Sequence, residues 1–202
     1  MTSASVSNLR PSSSPLKLHG RSLAWQAGAV VLGSLFLALS SYIEVPMVPV
    51  PVTMQTFAVT LVGALYGWRF GALTIAAWLV EGAVGFPVLA GGAAGLQHFV
   101  GPTGGYLLSF PIVGAVVGWL AERGWNGSRV ILAFAAMLIG NLLCLVLGTA
   151  WLAAVIGAEK AIAFGFLPFI VGGLLKSALG AATLKLFSRY QTQPHAGSPA
   201  GR

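Results

Sequence analysis

The sequence predicts an all-α integral membrane protein with about six transmembrane helices and two outer loops capping a ligand pocket. Of the 202 residues, 56% are hydrophobic and only 7% are charged, whereas a soluble domain carries about 25% charged residues. The apolar residues form runs long enough to cross a bilayer. The Lys and Arg residues fall almost entirely on one side of those runs, as expected for cytoplasmic segments.

Apolar runs separated by short polar or Gly- and Pro-rich segments give the helix boundaries. We predict membrane helices over residues 23–43, 53–68, 70–85, 105–121, 130–156 and 168–187. The second and third are short for a span of about 20 residues. The membrane domain is predicted to cover residues 23–188, with disordered cytoplasmic tails over 1–22 and 189–202.

The basic residues test this helix count, because removing one helix would invert the side of everything after it. With both termini inside a prokaryotic cell membrane, Lys160 lies outside and Lys176 lies within the sixth helix. The inside set is Arg10, Lys17, Arg21, Arg69, Arg123, Arg129, Lys185, Arg189 and Arg202. The net charge of +7 is therefore interpreted as membrane topology, and no nucleic-acid partner is expected.

Two outer segments are predicted to form the wall and lid of a pocket. Residues 44–52 read EVPMVPVPV, and their three prolines favour an extended path. Residues 86–104 read FPVLAGGAAGLQHFVGPTG. This segment is apolar and glycine-rich, so it can fold back over the helix ends instead of extending into water.

The chemistry-bearing residues argue against an enzyme. The chain has no Asp and only four acidic residues, which removes the paired carboxylates that most hydrolases need. His98 has no neighbouring metal ligands at a suitable spacing, and Cys144 is interpreted as a buried packing residue. We therefore expect no metal and no cofactor. The run at 172–177 has Leu175 before Lys176 within a helix, so it is not a phosphate-binding loop.

Lys176 is the most informative residue, because a charge inside a membrane helix is costly unless it meets a cavity or a partner. It lies about 12 Å below the outer end of the predicted helix. Three interpretations remain open: it contacts an anionic ligand in a cavity, it pairs with Glu81, or it reaches the interface along its aliphatic stem. Glu81 is also a candidate proton carrier.

Asn141 lies midway along the fifth helix between apolar neighbours. An amide without a partner in hydrocarbon costs several kcal/mol. Asn141 is therefore predicted either to form an interhelical hydrogen bond or to contact ligand.

Two stretches carry a family pattern. The first is VPVTMQTF at 50–57, followed by LVGALYG at 61–67. The second is GFPVLAGG at 85–92, followed by GPTGGYL at 101–107. Together they closely resemble the BioY family, the biotin-specific substrate-binding (S) components of energy-coupling factor (ECF) transporters. The resemblance spans about residues 23–188.

This resemblance implies six helices, a pocket near the outer face and high-affinity capture of biotin. The substrate-binding residues that we predict are Thr53, Gln55, Gly91, Gly92, Thr103, Gly104, Gly105, Tyr106, Asn141 and Lys176. The family pattern Gly-Asp-x-x-Lys in the sixth helix is met here by Gly172-Gly173-Leu174-Leu175-Lys176. The Asp, an acceptor for ureido N–H groups, is thus replaced by Gly173. Asn141, Gln55 or Gln97 is a candidate replacement.

The leading hypothesis is a biotin-capturing S component that works with an integral ECF coupling protein and ABC-type ATPases. Small-residue rows let membrane helices approach closely, and Ser34 with Ala38 is predicted to be one such docking row. The alternatives are a solitary biotin transporter that uses Glu81, an S component for another small carboxylated vitamin, and a membrane enzyme.

Overall fold

Helices make up nearly all the regular structure in the computed structural model, which describes residues 15, 16 and 18–192. The helices are α1 (Leu23–Ser41), α2 (Gln55–Ala83), α3 (Gln97–Val100), α4 (Gly104–Glu122), α5 (Val130–Ile156), α6 (Ala158–Ala161) and α7 (Leu167–Thr192). The short elements are 3-10 turns at Leu18–Gly20 and Ala90–Gly92, a π turn at Ile162–Phe166, and strands β1 (Glu44–Val45) and β2 (Val52–Thr53). Most of the two predicted tails lies outside the described residues.

The prediction of six membrane helices is confirmed, although two of them form one helical element. Among the described residues, five helical runs are long and apolar enough to cross a membrane. One of these, α2, is broken at Gly67, whose φ of 81° lies in the left-handed region. A Cβ on Gly71 would lie 2.9 Å from the Cα of Gly63, whereas eight residues of straight helix would separate them by about 12 Å. The chain therefore reverses at Gly67, and α2 supplies two short helices.

Glycines and other small residues allow the helices to pack closely inside the protein. A Cβ on Gly33 of α1 would lie 2.7 Å from the Thr74 side chain of α2. The helical half before Gly67 approaches α4 just as closely, because a Cβ on Gly63 would collide with the carbonyl oxygen of Gly114. Such contacts replace the hydrophobic effect, which does not draw helices together in lipid.

The prediction that Ser34 and Ala38 form a docking row is wrong for this structure. Ser34 is 4% exposed and Ala38 is 9% exposed. The Ser34 hydroxyl donates a hydrogen bond to Glu81 at 2.5 Å. Both small residues therefore face the interior of the bundle and leave no surface there for a second protein.

The last helix extends further than the sequence predicted. Helical structure continues from α6 through the π turn into α7 and ends at Thr192, whereas the prediction covered residues 168–187. Lys176 therefore lies near the middle of this run, deeper than the predicted 12 Å. A charge at such a depth needs a polar partner or a cavity.

The two predicted capping loops fold over the same end of the helix bundle. β1 and β2 form a small antiparallel hairpin in which Glu44 pairs with Thr53. The Tyr42 hydroxyl donates to the carbonyl oxygen of Pro87 at 2.5 Å, which joins the end of α1, just before the first loop, to the second loop. The indole N–H of Trp78 donates to the carbonyl oxygen of Val88 at 3.0 Å. These bonds hold both loops against the helices, beside the cavity described next.

Candidate ligand-binding cavity

A cavity of about 650 Å³ lies between the capping loops and the helix ends. Its volume is within the range of small-molecule sites, roughly 300–1,000 Å³. The first loop supplies a wall of Pro, Val and Met, and α4, α5 and α7 supply aromatic and aliphatic side chains. The polar and titratable residues of the wall are Glu44, Thr53, Gln55, Thr56, His98, Thr103, Tyr106, Asn141, Cys144 and Lys176.

Lys176 brings a cation to this apolar cavity. Its ammonium donates to the carbonyl oxygen of Thr53 at 2.5 Å and to the hydroxyl oxygen of Thr56 at 3.1 Å. Both acceptors are neutral, so no carboxylate compensates the charge through these bonds. A lysine ammonium has three N–H donors. One donor is therefore left for a ligand in the cavity.

Thr53 and Gln55 support the position of Lys176. Thr53 bonds Lys176 through its carbonyl oxygen, and Gln55 holds the Thr53 side chain. The Thr53 hydroxyl donates to the side-chain oxygen of Gln55 at 3.0 Å. The Gln55 amide donates in turn to the Ser41 hydroxyl at 3.1 Å. Both side chains line the cavity, but their polar groups are engaged in this chain of bonds, which ties the β hairpin to α1. Their geometry favours a positioning role over direct contact with ligand.

Asn141 reaches the same cavity from α5. Its amide nitrogen donates to the Met137 carbonyl oxygen at 3.0 Å and to the Ser177 hydroxyl at 3.1 Å. Asn141 thus forms the predicted interhelical bond, and it also lines the cavity. The two interpretations that the sequence left open are both compatible with the observed position.

Tyr106 and Thr103 line the cavity with hydroxyls that are already bonded. The Tyr106 hydroxyl donates to the Gly165 carbonyl oxygen at 2.7 Å, and its ring stacks on Phe169 with centroids 6.2 Å apart. The Thr103 hydroxyl donates to the His98 carbonyl oxygen at 2.9 Å. Tyr106 therefore presents an aromatic wall to the cavity.

The four predicted glycines lie outside the cavity wall and need another explanation. Gly91 has a φ of 61°, and a Cβ there would lie 2.6 Å from the Glu44 carboxylate. A Cβ on Gly92 would lie 3.1 Å from the Tyr42 ring. Cβ atoms on Gly104 and Gly105 would collide with the Phe99 carbonyl and with Trp151. These glycines allow close packing around the site, and none of the four is among the residues that line the cavity.

Glu81 is not a partner of Lys176. Its carboxylate accepts from Ser34, and the residue is absent from the cavity wall. Thr56, which bonds Lys176 directly, was not among the predicted site residues. Thr53 ends β2 and Thr56 lies in the first turn of α2, so the turn between strand and helix brings the Thr53 carbonyl and the Thr56 hydroxyl to the same lysine. No spacing in the sequence signals this contact.

Comparison with known proteins identifies the family of this chain. The profile of the BioY family matches residues 13–193, which is nearly the whole chain. The chain belongs to the BioY family. A probable biotin transporter BioY from Pyrococcus horikoshii is 39% identical over 156 residues, covering 76% of this chain and 91% of its own. A biotin transporter from Lactococcus lactis subsp. cremoris is 36% identical over 152 residues, covering 74% and 82%.

A solved structure shows that the fold is shared as well. The crystal structure of the S component for biotin from an ECF-type ABC transporter matches with a TM-score of 0.70. The match covers 86% of this chain and 96% of the other at 22% identity. The apolar helical runs and the BioY relatives together identify this chain as a multi-pass membrane protein.

Proposed function

We propose that this chain captures biotin as the substrate-binding component of an ATP-driven vitamin transporter. The observation that carries the proposal is the Lys176 ammonium, which lacks an anionic partner among its hydrogen-bond acceptors in a largely apolar cavity of a BioY-family chain. A substrate-binding component of a transporter binds its ligand and performs no covalent chemistry on it.

The chemistry of the cavity is complementary to that of biotin. Biotin has an apolar bicyclic body, a ureido group with N–H donors and a carbonyl acceptor, and an anionic carboxylate on an alkyl chain. The apolar wall of the first loop suits the body and the alkyl chain. The free N–H of Lys176 suits an oxygen of the ligand, either the carboxylate or the ureido carbonyl. A desolvated charge is stabilised by such a contact.

The ligand contacts that we propose differ in kind among the predicted residues. Lys176 and Asn141 make polar contacts, and the Tyr106 ring forms part of the apolar wall. Thr53 and Gln55 act by positioning Lys176 through the bonds described above.

In this proposal, partner proteins supply the energy for transport. The run at 172–177 lies within the membrane-spanning α7, so it cannot cradle a nucleotide phosphate as a strand-to-helix loop does. We propose an integral coupling protein and ABC-type ATPases as the energising partners. In this arrangement the cavity opens to the outside of a prokaryotic cell membrane, and both termini are cytoplasmic, as the distribution of Lys and Arg favours.

Uptake of labelled biotin tests this function. A bacterial host without its own biotin transporter would express the chain alone or with a coupling protein and ATPases. We expect uptake that depends on those partners and stops when the ATPase is inactivated. Uptake by the chain alone would favour a solitary transporter, and no uptake of biotin with partners present would contradict the proposal.

A further inference from the structure

Asn141 is one of the polar residues that line the cavity. The hydrogen bonds of its neighbours determine which way its side-chain amide points. The Asn141 amide nitrogen donates both its hydrogens, one to the Met137 carbonyl and one to the Ser177 hydroxyl. The Ser177 hydroxyl donates its own hydrogen to the Gly173 carbonyl oxygen at 2.7 Å. It can therefore only accept from Asn141, and the orientation of the amide follows from this network.

This orientation leaves the Asn141 side-chain oxygen as an acceptor without a donor. Asn141 lines the cavity, and the described residues contain no fully buried side-chain polar atom that lacks a partner. The oxygen is therefore accessible to whatever occupies the cavity. A partly buried acceptor of this kind gains from an N–H donor of a ligand.

The other two amide candidates are either already bonded through their oxygen or lie outside the cavity wall. The Gln55 oxygen already accepts from the Thr53 hydroxyl. Gln97 is exposed, donates to the Ala94 carbonyl oxygen and does not line the cavity. Gly173 lines the cavity but has no side chain. Among the three amide side chains considered from sequence, Asn141 alone offers a free oxygen to the cavity.

We infer that Asn141 is the residue that recognises the N–H side of the ligand, a role that rests on the proposed capture of biotin. Ionised biotin has N–H donors only on its ureido ring. Asn141 therefore contacts that ring and selects ligands with a cyclic urea or amide N–H over those without one. The site that selects the ligand is shared between α5 and α7, because Ser177 sets the orientation of the Asn141 amide.

A leucine at position 141 tests this role with little damage to the fold. Leucine is close to asparagine in size, and both groups that lose a bond are acceptors, so no buried donor is left unpaired. We expect Asn141→Leu to raise the Kd for biotin by about ten- to a hundredfold. Wild-type protein titrated in parallel separates the two proposals. If it does not bind biotin, the proposed function fails, whereas equal affinities of wild type and variant overturn only the role of Asn141.

A second variant distinguishes ligand recognition from a structural effect. A Cβ on Gly173 would lie 3.7 Å from the Cβ of Asn141, which is ordinary contact. The Cβ of an aspartate at 173 is therefore tolerated, and because Gly173 lines the cavity, the carboxylate would bring acceptor oxygens close to the position that the Asn141 amide vacates. We expect the double variant Asn141→Leu, Gly173→Asp to recover most of the lost affinity. A double variant as weak as Asn141→Leu alone would contradict recognition by an acceptor at this place.

A ligand-side measurement does not depend on how either variant folds. Wild-type protein is titrated with biotin and with biotin methylated on its ureido nitrogens. We expect the methylated analogue to bind at least about tenfold more weakly, because it has no N–H for Asn141. Equal affinity for the two ligands would overturn the inference.

Discussion

Replacing Lys176 by methionine removes the cation and keeps most of the volume of its side chain. The ammonium has two neutral protein acceptors, the Thr53 carbonyl and the Thr56 hydroxyl, and one N–H left for ligand. A hydrogen bond to a charged group contributes about 1.5–3 kcal/mol. The Lys176→Met variant should therefore bind biotin about ten- to a hundredfold more weakly.

The same change should leave the folded protein at least as stable. No acidic side chain is bonded to Lys176, so the desolvation of its charge is only partly offset in the empty cavity. Methionine removes that cost and fills the space with an adaptable apolar chain. We expect the thermal midpoint in detergent to stay the same or to rise, which separates lost binding from lost folding.

Calorimetric titration of detergent-purified protein measures the change, with tryptophan fluorescence as a second signal. Lys160→Met is the matched control, because Lys160 is exposed on α6 and does not line the cavity. The control should bind biotin like wild type. If Lys176→Met also binds like wild type, Lys176 does not contact the ligand, and the polar contact that we propose for it is wrong.

Three further predictions concern occupancy and packing. Cys144 is the single cysteine of the chain and lines the cavity but is only 2% exposed, so its alkylation by a small uncharged maleimide should be slow in the free protein and slower still with bound biotin; a measurable rate that saturating biotin leaves unchanged would place the ligand elsewhere. Gly105→Ala should lower stability by about 1–3 kcal/mol because its methyl group meets Trp151, whereas Gly28→Ala, with nothing within 4 Å, should not; equal midpoints in thermal unfolding would refute this. Tyr106→Phe keeps the ring but loses the bond to Gly165, so it should cost about 1 kcal/mol of stability and change biotin affinity little; a large loss of affinity would show that the hydroxyl contacts ligand.

The helices and the capping loops were predictable because lipid imposes strict rules on both. A membrane span must be apolar and internally hydrogen-bonded, so hydropathy and the positions of Lys and Arg give the helix count. Prolines at 46, 49 and 51 prevent helix formation between α1 and α2. The depth of Lys176 in an apolar segment likewise favoured a cavity, although pairing with Glu81 or reaching the interface remained open until the structure was known.

Other features depend on contacts that no local pattern encodes. The extension of the last helix through Ile162–Phe166 was missed because an apolar run before Pro168 is compatible both with an outer segment and with a helix. Glycine composition cannot distinguish contact with ligand from close packing, so Gly104 and Gly105 were placed at the site although they pack against Phe99 and Trp151. The family resemblance located the region, but side-chain geometry decided which residues face the cavity.

The orientation of the Asn141 amide could not be predicted from sequence either. It depends on Ser177, which lies 36 residues further along the chain and on another helix. Only the folded arrangement shows which end of the amide faces the cavity.

Biotin capture is tested by calorimetric titration of the purified wild-type chain with biotin. We predict saturable, tight binding of one biotin per chain, with heat that disappears when the protein is saturated with biotin beforehand. Absence of binding under conditions where the protein remains folded would contradict biotin capture. It would direct the search to other small carboxylated vitamins for a cavity in which Gly173 replaces the acidic residue of the family pattern.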